Sequence, residues 1–139
     1  MMKVNLISLG CPKNLVDSEV ILGKLGEAGY ALTSLSKDAD IIIINTCSFI
    51  DKARSESYEV ISRLACQKGP SQKLIICGCL PQLEKRKLFL KYPQVDALLG
   101  SADFYKIEKV TRQLLNGESH LFSVNEPRFL YDSSFPRLL

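Results

Sequence analysis

Asp40-Ile41-Ile42-Ile43-Ile44-Asn45-Thr46-Cys47 is the stretch that decides the fold. Four consecutive isoleucines leave no polar face, so the run reads as a β-strand covered on both sides. Strands of that kind belong to the interior of a parallel sheet clothed by helices. The run then gives way to Asn-Thr-Cys, polar and reactive side chains placed where the strand must leave the sheet.

Working outward, short β-rich runs alternate with longer helical ones. Lys3–Leu9 reads as a first strand and Lys73–Cys77 as another, with Ala31–Leu35 and Val95–Leu99 as weaker strands. Leu15–Ala28 has helical character and stops at Gly29, a suitable left-handed end position. Asp51–Cys66, closed by Gly69-Pro70, is a second helix. Leu83–Lys91, ahead of Pro93, is a third, and Asp103–Leu115, ahead of Asn116-Gly117, a fourth. This alternation predicts an α/β, three-layer, flavodoxin-like sandwich with a mainly parallel five-stranded sheet in the order 2-1-3-4-5. His120–Val124 is an optional further edge strand, and Asn125–Leu139, with Pro127, Pro136 and Ser133-Ser134, reads as a linker. A chain closing on Phe135-Pro136-Arg137-Leu138-Leu139 reads as a piece cut from something longer.

With 139 residues, 46% of them hydrophobic and 24% charged, the chain suits one compact domain. No apolar run reaches bilayer length and the start lacks the apolar stretch of a signal peptide, so a cytoplasmic location is expected and no membrane partner. The net charge of +3 is small. Basic residues are interleaved with acids, as in Glu84-Lys85-Arg86-Lys87, so direct nucleic-acid binding by this domain is not expected.

Five cysteines remain to be explained. An odd count in a reducing compartment disfavours a disulfide framework. On the expected topology Cys11, Cys47 and Cys79 each fall just past the carboxyl end of a strand, where open α/β sheets build their sites. The strands concerned are immediate neighbours, about 4.8 Å apart, which separates the outer two cysteines by roughly 10 Å. A disulfide needs Cα atoms within about 7 Å, so that spacing leaves room for a metal cluster instead. Helix N-termini after each loop would favour thiolates and an anionic group. Cys66, at a helix end, is read as incidental and Cys77 as core filler on its strand. His120, the only histidine, is read as a surface residue.

A structural zinc site wants four ligands, usually in C-x-x-C pairs, and this chain has no such pair. Iron–sulfur clusters accept cysteines dispersed along the sequence, and three protein ligands would leave one iron of a four-iron cluster open. Spacing therefore prefers an iron–sulfur cluster, with zinc as the alternative.

At the three loops the sequence resembles the radical-SAM methylthiotransferase family in its amino-terminal domain. The motif Gly10-Cys11-Pro12-Lys13-Asn14-Leu15-Val16-Asp17-Ser18-Glu19 is similar to the signature of the branch that modifies a ribosomal protein. Asn45-Thr46-Cys47-Ser48-Phe49-Ile50-Asp51 and Gly78-Cys79-Leu80 match the second and third cysteine motifs. The tRNA-modifying branch typically has Gln-Met, or a close variant, where this chain has Pro12-Lys13. The resemblance implies a [4Fe-4S] cluster on Cys11, Cys47 and Cys79 that supplies or carries sulfur. It further implies methylthiolation of an aspartate β-carbon in small-subunit ribosomal protein S-twelve. In that family S-adenosylmethionine and a second [4Fe-4S] cluster belong to a radical-SAM domain, whose C-x-x-x-C-x-x-C motif is absent from this sequence. Residues 1–125 would then be the iron–sulfur domain and 126–139 the linker towards that intramolecular partner, and these 139 residues alone are not expected to catalyse the reaction.

Around the cysteines, Asn14 or Asp17 is expected to cap the first helix. Asn45 and Thr46 are expected to stabilise their loop, with a bond to sulfide as the sharper reading. Pro12 is expected to set the loop dihedral and Lys13 to be solvated or to attract an anion. A flavin- or phosphate-binding module would need a donor-rich loop after strand one, which Gly10-Cys11-Pro12-Lys13-Asn14 is not. A phosphatase using Cys11 as nucleophile would need an arginine where Asp17 stands. A non-catalytic interaction or zinc-binding domain is compatible with composition.

Overall fold

The computed structural model describes residues 2–9, 12–47, 51–101 and 103–124, with the side chains of 12–14 and 51 outside that description. The strands are β1 (Lys3–Ser8), β2 (Ala31–Leu32), β3 (Ile41–Thr46), β4 (Lys73–Gly78), β5 (Ala97–Gly100) and β6 (Leu121–Ser123). They form one sheet in the order β2-β1-β3-β4-β5-β6. Every pairing is parallel. The helices are α1 (Pro12–Glu27), α2 (Asp51–Gln67), α3 (Cys79–Glu84), α4 (Lys87–Lys91) and α5 (Ile107–Leu115).

The isoleucine run explains the three layers. All six residues of β3 are buried, and alternate residues face opposite sides of the sheet. Ile41 and Ile43 join Ile75, Cys77, Ala97 and Leu99 beneath Ile21 and Leu25 of α1 and Ile107, Val110 and Leu114 of α5. Ile42 and Ile44 join Leu74, Ile76 and Leu98 beneath Ile61 and Leu64 of α2, with Leu80 and Leu88 of α3 and α4. One face thus carries α1 and α5 and the other α2, α3 and α4, the doubly wound arrangement expected of a flavodoxin-like fold.

Three expectations change. The sheet has six strands rather than five, because Leu121–Ser123 pairs with β5 through Ala97↔Leu121, Leu98↔Phe122 and Leu99↔Ser123. The second strand shrinks to Ala31–Leu32, since β1 offers it only the partners Lys3 and Val4. The expected helix Leu83–Lys91 is two short helices, and the first starts four residues earlier than expected, at Cys79. Pro81 is tolerated there because a first-turn residue has no intrahelical use for the N–H that proline lacks. The break falls at Lys85, whose backbone takes φ 53°. Asn125–Leu139, read as a linker, lies outside the described residues.

Candidate metal centre at the carboxyl edge of the sheet

The switch from isoleucine to Asn45-Thr46 at the end of β3 builds the edge. Register pairs Thr46 with Gly78 and Asn45 with Cys77. Cys47 and Cys79 are therefore the next residues after a paired position on neighbouring strands. Cys47 is buried, at 3% exposure, whereas Cys79 opens α3 and is half-buried. On the other side Ser8 pairs with Asn45, and the Leu9 amide donates to the Asn45 carbonyl at 2.9 Å. Cys11 itself lies outside the described residues. The structure thus sets Cys47 and Cys79 on adjacent strand ends and leaves the three-cysteine expectation undecided. Among the described residues no group of three or more His, Cys, Asp or Glu side chains is arranged to hold a metal ion.

Gly78 is what allows β3 and β4 to approach at this edge. Its backbone has φ 98° and ψ −146°, a region that only glycine occupies comfortably. A Cβ there would lie 2.5 Å from the Thr46 carbonyl oxygen and 2.6 Å from Asn45 Oδ1. The glycine precedes α3 and so brings no capping side chain; Thr46 takes that part from the next strand. Its Oγ1 accepts from the Leu80 amide at 3.1 Å and donates to the Cys77 carbonyl at 2.7 Å. Ser57, on α2, does the equivalent for Cys47: its Oγ donates to the Cys47 carbonyl at 2.9 Å and accepts from the Cys47 amide at 3.3 Å. Asn45 Nδ2 donates to Ser18 Oγ at 3.0 Å, and Ser18 donates on to Ser8 Oγ at 2.9 Å. Sequence reasoning assigned no role to Ser57 or to Ser18, which it met only inside the first motif. A buried serine on an otherwise apolar helix face is the only signal that could have found them.

The remaining cysteines behave differently. Cys77 is fully buried within the α1–α5 face of the core, and burial, then the nearby carboxylate of Asp17, pushes its thiol up to about 12. Such a thiol is inert at neutral pH. Cys66 is exposed on α2, and His120 is exposed with its ring edge-on to Phe89 at 5.3 Å. The expected capping role of Asp17 is corrected: α1 begins at Pro12, so Asp17 stands within the helix, beyond the first turn whose free N–H groups a cap must meet. Pro12 is the first helical residue, the position where its fixed φ suits the turn. The side chains of Lys13 and Asn14 lie outside the described residues.

An open parallel sheet with helices on both faces, and with Cys47 and Cys79 at its carboxyl edge, defines a doubly wound α/β domain. This chain belongs to the family described as Uncharacterized protein family UPF0004, whose profile matches residues 3–100. A relative from Trichlorobacter lovleyi named Ribosomal protein uS12 methylthiotransferase RimO is 44% identical over 98% of this chain and 31% of its own length. Relatives of the same name from Caldicellulosiruptor saccharolyticus and Geobacter sulfurreducens are 45% and 43% identical, over 100% and 98% of this chain. The name agrees with the resemblance read from the cysteine motifs. The chain spans about a third of the length of these relatives, 31% and 32% of the first two. Among the described residues no helix is long and apolar enough to cross a membrane.

Proposed function

We propose that this chain is the amino-terminal iron–sulfur domain of a cytoplasmic radical-SAM enzyme that methylthiolates the β-carbon of an aspartate in ribosomal protein uS12. The observation that carries the reading is the register: Thr46 opposite Gly78 sends Cys47 and Cys79 off neighbouring strands at the same level. The β1–α1 connection that contains Cys11 is flanked directly by the described residues Leu9 and Pro12, and Leu9 is bonded to β3 on this edge. Thiols are the donors that iron–sulfur clusters take, and the dispersed set suits a cluster better than zinc, for which close pairs would be usual. Pro12-Lys13 and the names of the relatives favour a ribosomal-protein substrate over tRNA.

In this reading Cys11, Cys47 and Cys79 hold a [4Fe-4S] cluster. When bound, that group supplies an iron without a protein ligand, able to carry the sulfur that is transferred. The chain's own part is to bring the thiols to one edge, to fix their backbones through Thr46 and Ser57, and to keep Cys77 protonated in the core. S-adenosylmethionine and a second [4Fe-4S] cluster are assigned to a radical-SAM domain outside this sequence, so these residues alone are inactive.

Anaerobic reconstitution with iron and sulfide, read by absorption and electron paramagnetic resonance, tests the proposal. Cys11→Ala, Cys47→Ala and Cys79→Ala each abolish the cluster spectrum, whereas Cys66→Ala and Cys77→Ala leave it in place. A cluster that persists unchanged after any one of the first three substitutions refutes the assignment.

A further inference from the structure

The last two residues of β3 pose a physical question. The strand is buried throughout, and its first four residues meet that burial with isoleucine. Asn45 and Thr46 are just as buried, at 2% and 0% exposure, yet polar, and polar groups removed from water are costly unless they are bonded. Neither is open to a substrate. Their polar atoms reach instead to Ser18 of α1 and to the backbone of β4 and α3, on opposite sides of the strand as the pleat dictates.

Asn45 turns to the α1 face, where Ser18 links it to Ser8, the last residue of β1. It so ties together the strand before the Cys11 loop and the helix after it. Thr46 turns to the other face and bonds the Cys77 carbonyl and the Leu80 amide, the backbone groups that flank Gly78 and Cys79. Between the two, Ser57 holds both backbone groups of Cys47. The backbone at Cys47 is thereby fastened by a hydroxyl of α2, and the groups flanking Cys79 by a hydroxyl of β3.

We propose that Thr46 and Ser57 are positioning residues that hold the backbones at Cys79 and Cys47 in mutual register and so govern how firmly the cluster is kept. The inference rests on the reading that Cys11, Cys47 and Cys79 share one cluster. A fastened backbone limits the excursions through which a thiolate leaves iron, so loss of a fastening hydroxyl speeds iron release even where the fold persists.

The test uses the whole chain, reconstituted with iron and sulfide, with iron release followed against a ferrous chelator well below each variant's melting temperature. Thr46→Val is expected to release iron about tenfold faster than the parent, because two buried backbone groups lose their partner. Thr46→Ser, which keeps the hydroxyl, is expected to release iron at the parental rate. Ser57→Ala is expected to show the same direction, roughly threefold, and it carries the test if Thr46→Val does not fold. Parental release rates and an unchanged resonance spectrum in Thr46→Val, or in Ser57→Ala when that variant decides, overturn the proposal, even if melting temperatures fall. Failure of the parent chain to take up a cluster overturns the underlying reading and this inference with it. A parent that loads, beside variants that hold iron equally well, removes only the positioning role.

Discussion

Gly78→Ala is the substitution that most directly probes how the edge is built. Two costs combine. The backbone at φ 98° and ψ −146° is closed to residues with a Cβ, a strain of about 1–3 kcal/mol. The added methyl would also sit 2.5 Å from the Thr46 carbonyl oxygen and 3.0 Å from its amide nitrogen, atoms of a central strand that cannot swing aside. Forcing β3 and β4 apart adds an overpacking cost of about 1–3 kcal/mol. The expected loss is therefore about 2–6 kcal/mol, a large part of the roughly 5–15 kcal/mol that holds a typical domain together. Gly29→Ala is the matched control. Gly29 also has positive φ, at 95°, but nothing lies within 4 Å of its would-be Cβ, so only conformational strain of about 1–2 kcal/mol is expected. Urea unfolding of the two variants beside the parent measures the difference. If Gly78→Ala costs no more than Gly29→Ala, the close approach of β4 to β3 at this edge is not what the glycine serves.

Ile43, fully buried at the centre of the sheet, is expected to cost about 2–5 kcal/mol when changed to Ala, read as a lower urea midpoint with an unchanged slope. Alkylation at pH 8 followed by mass spectrometry is expected to label exposed Cys66 in the folded, metal-free chain while sparing Cys77, whose thiol is pushed up to about 12 by burial and then by Asp17. The sign of the linkage follows from that shift. With its folded value raised above the ordinary 9.0, Cys77 gives its full stabilisation below about pH 9 and loses it as pH climbs towards about 12. The urea midpoint of the parent is expected to fall relative to that of Cys77→Val as pH rises from 8 to 10.5, and parallel curves would contradict a buried neutral thiol.

Much of this molecule was legible one residue at a time. Four isoleucines in a row can be buried only on both faces of a strand, so β3, the parallel sheet and the two helical layers follow from the side chains themselves. The same local logic placed Gly29 at the end of α1, and put Cys77 in the core and Cys79 beyond it, because alternate strand residues face opposite ways and the ladder stops at Gly78. Tertiary structure alone decided what depends on partners distant in the chain. Leu121–Ser123 is a strand because β5 presents a free edge, and α3 begins at Cys79 because Thr46, 34 residues earlier, receives the Leu80 amide. Ser18 and Ser57 matter for the same reason: a hydroxyl on a helix carries no mark of the strand end it will meet. Hydrogen bonds across the sheet edge join groups that become neighbours only when the chain has folded, and no periodicity in the sequence encodes them.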